Sequence, residues 1–87
     1  MAMHRLKTQQ PWFEEVMMGS KTAELRLDDR GVQVGDVLHL CEWHPVTGYT
    51  ERSVFVQVTH VLREFEGLRP GWAMYSFTKR VLPEGET

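Results

Sequence analysis

Polar and apolar positions alternate along "MHRLKTQ", with Leu6 the inward residue, which predicts a short first strand. The period then changes. In "PWFEEVMMG", Trp12, Phe13, Val16 and Met17 fall on one stripe, the mark of an amphipathic helix. Pro11 suits its first position, Glu14 and Glu15 suit the positive end of its dipole, and Gly19 suits its end. So short a helix needs tertiary packing to persist. Alternation returns in "KTAELRL", where Ala23, Leu25 and Leu27 share one face and Glu24 and Arg26 the other. "DDRG" and "VGD" read as turns. "VLHLCEW" predicts a third strand, with Leu38, Leu40 and Glu42 on one face and Val37, His39, Cys41 and Trp43 on the other. "HPVTGYTER" reads as a hairpin connection of moderate length. "SVFVQVTHVL" predicts the longest strand, with Val54, Val56, Val58, His60 and Leu62 on one face. "REFEGLRPG" reads as a loop and "WAMYSF" as a last strand.

The order is strand, helix and four more strands, without a repeat or a low-complexity segment. It predicts an α+β fold: a small, partly closed barrel of about five strands with the helix packed over one opening. Closure would also remove exposed strand edges.

The chain has 87 residues, which predicts one domain over 1–87, with a core at about 4–79 and a tail at 80–87. A chain this short buries roughly 60–65% of its unfolded surface, enough for one modest core. Its one cysteine, Cys41, excludes an internal disulfide and a thiolate metal cluster. No apolar run could span a membrane, and "MAMHRLK" lacks the apolar stretch of a signal peptide. The expected compartment is the cytoplasm. A net charge of -2 argues against a uniformly basic nucleic-acid binder but leaves room for a local basic cleft.

The four histidines, His4, His39, His44 and His60, lack ligand spacing, so no metal site is expected. His60, on a valine-rich face, reads as a half-buried core residue. Asp28 and Asp29 have turn composition and are expected to cap their own backbone. Either of them, or Glu42, could attract a transient divalent cation. Cys41 reads as a small buried hydrophobe. The charges of "GSKTAELRLDDR" remain. By spacing alone, Lys21, Glu24 and Arg26 read as an ion-paired solvent face. The other reading is a cationic pair that holds phosphate, with Glu24 as orienting group or proton acceptor. Trp12, Phe13, Trp43 and Tyr49 are candidate stacking surfaces, with core packing the simpler reading for Phe13.

"GSKTAELR" resembles the G-x-K-x-x-E-x-R motif of ASCH domains, the activating-signal-cointegrator homology group of the PUA-like superfamily. The resemblance extends over about residues 4–77. It follows the small bacterial and phage subgroup that reads H-x-L-K, a helix, G-x-K-x-x-E-x-R, N-D-R, V-G-D, E-W-x-P-x-T-G-x-Y-T-G-R and G-L-x-x-G-Y. Asp28 replaces the asparagine of N-D-R, Glu51 the glycine after "YT", and Trp72 the final tyrosine. The resemblance implies a PUA-like mixed β-barrel with a helix beside a cleft lined by Lys21, Glu24 and Arg26. It also implies RNA binding. Some relatives resemble amidohydrolases that deacylate an acetylated cytidine nucleoside; their lysine falls on Lys21, but Glu24 stands where they carry a threonine nucleophile. Others resemble ribonucleases, for which Lys21, Glu24 and Arg26 would be the catalytic set.

The leading expectation is a protein that binds single-stranded RNA or a nucleotide. Lys21 and Arg26 would contact phosphate. Glu24 would orient Arg26 or accept a proton. Lys7, Arg30 and Arg52 would extend the basic path, and Trp43 or Tyr49 would stack. The alternatives are a ribonuclease or nucleoside amidohydrolase at the same cleft, and a protein-interaction module. No cofactor is expected, except a divalent cation for a nuclease. A monomer or weak homodimer is expected.

Overall fold

A computed structural model of the chain describes residues 1–80, so the tail expected at 80–87 lies, apart from Arg80, outside the described residues. The elements are β1 (Met3–Thr8), α1 (Trp12–Met18), β2 (Ala23–Leu27), β3 (Val37–His44), β4 (Gly48–Arg63) and β5 (Trp72–Lys79). The strands form one sheet in the order β1-β3-β4-β5-β2, curled into a half-barrel. β1 runs parallel to β3, and the other pairings are antiparallel. A parallel neighbour needs a long connection. Here that connection contains α1 and β2, and β2 ends at the far edge of the sheet.

Alternation aims Leu6, Leu38, Leu40, Val54, Val56, Val58, Tyr75 and Phe77 into the curl, where they are buried. Phe13 and Val16, three apart on α1, close this core and are themselves fully buried. Trp12 leaves the expected stripe and is 50% exposed. Pro11 lies one position before the helix rather than in it, and Gly19 ends it at φ 83°. That left-handed residue is cheap for glycine and lets the backbone N–H groups of Gly19 and Ser20 bond to the Val16 and Glu15 carbonyls.

Three irregularities depart from the simple pattern. The hairpin of β3 and β4 is tighter than expected, because His44 already pairs with Gly48. The polar residues read as a loop are instead absorbed by a bulge, where Cys41 pairs with Ser53 but Trp43 pairs with Tyr49. A second irregularity falls between Val58 and His60 on β4 and reverses the alternation. His60 is therefore exposed rather than half-buried in the core, and Val61 takes the inward place opposite Tyr75.

The third concerns β2. Its register sets Glu24 opposite Tyr75 and Arg26 opposite Ala73, both buried, so the charged face of β2 is the concave one. Leu25 and Leu27 face outward, each 53% exposed. The solvated face expected from spacing is thus turned towards the interior of the half-barrel. A shift of one residue exchanges the faces of a strand, and only the pairing partner decides which one is buried.

Candidate functional site

The ladder between β2 and β5 is bounded by bonds from the Phe77 N–H to the Thr22 carbonyl and from the Asp28 N–H to the Gly71 carbonyl. Antiparallel pairing then turns the backbone groups of Ala23, Leu25 and Leu27 away from β5, towards the open edge. Across that gap lies the open edge of β1. Two guanidinium groups bridge it. Arg26 Nη1 donates to the Lys7 carbonyl at 3.0 Å, and Arg30 Nη1 donates to the Arg5 carbonyl at 2.9 Å. Side chains thus complete what backbone pairing would complete in a closed barrel.

Beside these bridges a cleft of about 740 Å³ opens, lined by Lys7, Gln9, Trp12, Lys21, Ala23, Glu24, Leu25, Arg26, Trp43 and Met74. That volume suits a nucleotide-sized ligand. Lys21 stands just past the end of α1. Its ammonium donates to the Ala23 carbonyl and lies 3.4 Å from Glu24 Oε1. The two side chains keep 22% and 14% of their surface, so the pair is half-buried yet open to the cleft. Lys7 lies 4.5 Å from the centre of the Trp43 ring, a cation–π contact that forms one wall. Three cations therefore face one carboxylate, between two tryptophans. Such a lining can hold a phosphate on its cations, stack a planar ring, and accept a proton or an N–H on Glu24.

Of the residues expected to bind a ligand, Lys7, Lys21, Glu24, Arg26 and Trp43 line this cleft. Arg30, Tyr49 and Arg52 do not. Arg30 is engaged at the Arg5 carbonyl, beyond the cleft's lining. Arg52 lies 2.6 Å from Glu14 and 3.6 Å from Glu42, against the ring of Phe13, so it ties the hairpin to α1 rather than extending a basic path. Tyr49 and Arg52 line a separate groove of about 150 Å³ with Arg5, His39 and Glu42. There the Thr50 hydroxyl and the Gln10 amide hold the buried Glu42 carboxyl below its ordinary range, against the effect of burial, with help from Arg52. Burial, and then the charge of Arg5, lowers His39.

Asp28 is also not a self-capping turn residue. It accepts from Arg63 at 2.5 Å and from the Tyr75 hydroxyl at 2.7 Å. These bonds, Arg63 first, lower its pKa. Burial, and then the bond to Asp28, pushes Tyr75 up to about 12. The oxygens of Asp28 and Glu42 considered for a cation are thus shared with neighbouring donors. Among the described residues, no group of three His, Cys, Asp or Glu side chains could hold a metal ion. No helix among them is long and apolar enough to cross a membrane.

Gln9 and Met74 line the cleft without having been singled out in the sequence. Met74 carried no signal, since it arrives through its register opposite Leu25. Arg5 was legible, because it shares the outer face of the first strand with Lys7.

Residues 3–77 match the family described as "Domain of unknown function (DUF3850)". A protein of Escherichia phage P2, described as "Uncharacterized 12.9 kDa protein in GpA 3'region", is 33% identical over 81 residues. That alignment covers 92% of this chain and 72% of the phage protein. The chain belongs to this family of unknown function.

Proposed function

We propose that this member of the DUF3850 family is an ASCH-like, PUA-like protein of the cytoplasm that binds single-stranded RNA or a nucleotide in the cleft between β1, α1 and β2. One observation carries the reading: Lys7, Lys21, Arg26, Glu24, Trp12 and Trp43, dispersed along the sequence, converge on one cleft of about 740 Å³. Lys21 and Arg26 contact phosphate. Arg26 can do so while bridging to β1, because a guanidinium has five N–H donors and the bridge uses one. Glu24 accepts N–H groups from the base, or a proton. Trp12, half exposed at the rim, stacks on the base.

The test compares the protein with Lys21→Ala on short labelled single-stranded RNAs, on native and denaturing gels. A shift without fragments that is lost in Lys21→Ala is the expected result. Binding should also weaken with salt, log K falling by about 0.7 per tenfold rise for each phosphate held. Affinity independent of salt, or untouched in Lys21→Ala, would refute the phosphate role. Lysine-dependent fragments would establish a nuclease in place of a binder. Intact, unshifted RNA throughout would refute RNA binding and turn the question to free modified nucleosides and then to the interaction module.

A further inference from the structure

The outward side chains of β1, β3 and β4 form a surface that extends beyond the cleft. On β1 they include Arg5 and Lys7, on β3 His39 and Trp43, and on β4 Tyr49 and Phe55. These positions form contacts between cations and rings, or between two rings. Lys7 lies over Trp43 at 4.5 Å, Arg5 over Tyr49 at 4.7 Å, and His39 stacks on Phe55 at 4.3 Å with the planes 9° apart. The His39 ring is also held by the Ser53 hydroxyl at 2.9 Å, and Arg5 Nε by Cys41 Sγ at 3.3 Å. The rings and cations are thus positioned rather than loose. Two carboxylates, Glu42 and Glu51, line the groove beside Arg5 and Tyr49, and the Glu42 oxygens are taken up by Thr50, Gln10 and Arg52. Lys7 and Trp43 belong to the cleft wall as well, so the surface continues from it.

We infer that a single strand of RNA leaves the cleft over Lys7 and Trp43 and runs across the outer face of the sheet to Arg5 and Tyr49. This rests on the cleft reading above. The run from β1 to β4 crosses two strand spacings, about 10 Å. Tyr49, 47% exposed, offers a ring to a base, and Arg5 keeps its terminal N–H groups for a phosphate. Rings interleaved with cations favour a strand that presents bases and phosphates together over a polyanion that has no bases.

The experiment measures the affinity of a labelled uridine dinucleotide and a uridine hexanucleotide for the intact protein. The hexanucleotide should bind at least about tenfold tighter, given the worth of a stacked base. Tyr49→Ala and Arg5→Gln should each remove most of that gain and leave the dinucleotide within about twofold. Tyr49→Phe should retain it, since the ring remains. Thermal melts report whether each variant is folded. A dinucleotide that binds with no gain on lengthening would overturn the path alone. A gain that survives in both folded variants would also overturn it. Polyphosphate or poly-glutamate competing as well as the hexanucleotide would overturn base stacking in favour of a general polyanion surface. Failure of both oligonucleotides to bind would remove the cleft reading, and the path with it.

Discussion

Glu51 holds φ at 72°, in the left-handed region that costs an L-residue about 1 kcal/mol or more. It sits in the bulge between the Cys41–Ser53 and Trp43–Tyr49 pairs. The resemblance expects glycine at this position, and the backbone there favours one. Glu51→Gly removes the penalty but adds freedom to the unfolded chain. The net expectation is a stabilisation of about 0.5–1 kcal/mol, seen as a rise of a few degrees in melting temperature. An unchanged or lowered melting temperature would mean that the side chain of Glu51 contributes more than its backbone costs. The motif made this residue legible as a departure. Its φ was not legible, because the bulge exists only once β4 has paired with β3.

At the scale of elements, the gap between β1 and β2 is bridged by guanidinium groups where a closed barrel would have a ladder. Arg30 is the cleaner probe, since it bonds to the Arg5 carbonyl and lies outside the cleft lining. Arg30→Ala should cost about 1 kcal/mol, the net worth of an ordinary hydrogen bond at an exposed site, read from the denaturant midpoint. Amide exchange should quicken most in β1 and β2 and least in the β3–β4 hairpin. Equal acceleration throughout, or none, would show that the bridge does not hold the edges. The strands themselves were legible from alternation. That Arg26 and Arg30 would face carbonyls of β1 was not, because β2 reaches that edge only through its pairing with β5 at the far end of the sheet.

For the whole molecule, pH dependence follows from carboxylates engaged across the fold. Asp36 accepts from the Ala2 and Gln33 backbone N–H groups at 3.0 Å each and lies 2.9 Å from His4 Nε2. The His4 bond first, then the two backbone bonds, depresses its pKa from 3.8 to about 2. A carboxyl with a depressed folded pKa stabilises the fold above its unfolded value. That stability is lost as pH falls through the folded value. Asp36 thus contributes about 2 kcal/mol at neutral pH, lost between about pH 4 and pH 2. Asp28 and Glu42, also lowered, act in the same direction. Urea unfolding at stepped pH should show stability falling below about pH 4, and Asp36→Asn should flatten that fall. An equally steep fall in the variant would assign acid sensitivity to other groups.

The sequence by itself determined the kinds and order of the elements, because alternation, a helical stripe and turn residues are local properties. It also determined that Lys21, Glu24 and Arg26 share a neighbourhood, since the strand spacing of the last two and the helix end before the first are local too. The tertiary structure alone decided what that neighbourhood is. Register with β5 turned Glu24 and Arg26 inward, the bulge near His60 exchanged the faces of β4, and the curl of the sheet brought Lys7, Trp12 and Trp43 to the same cleft. Arg52, read as part of a ligand path, and Asp28, read as a self-capping turn residue, instead hold partners far away in the chain, Glu14 and Arg63. Their charge could be read in advance. Their partners could not, because the pairing of charges is set by which strands and loops become neighbours when the core is buried.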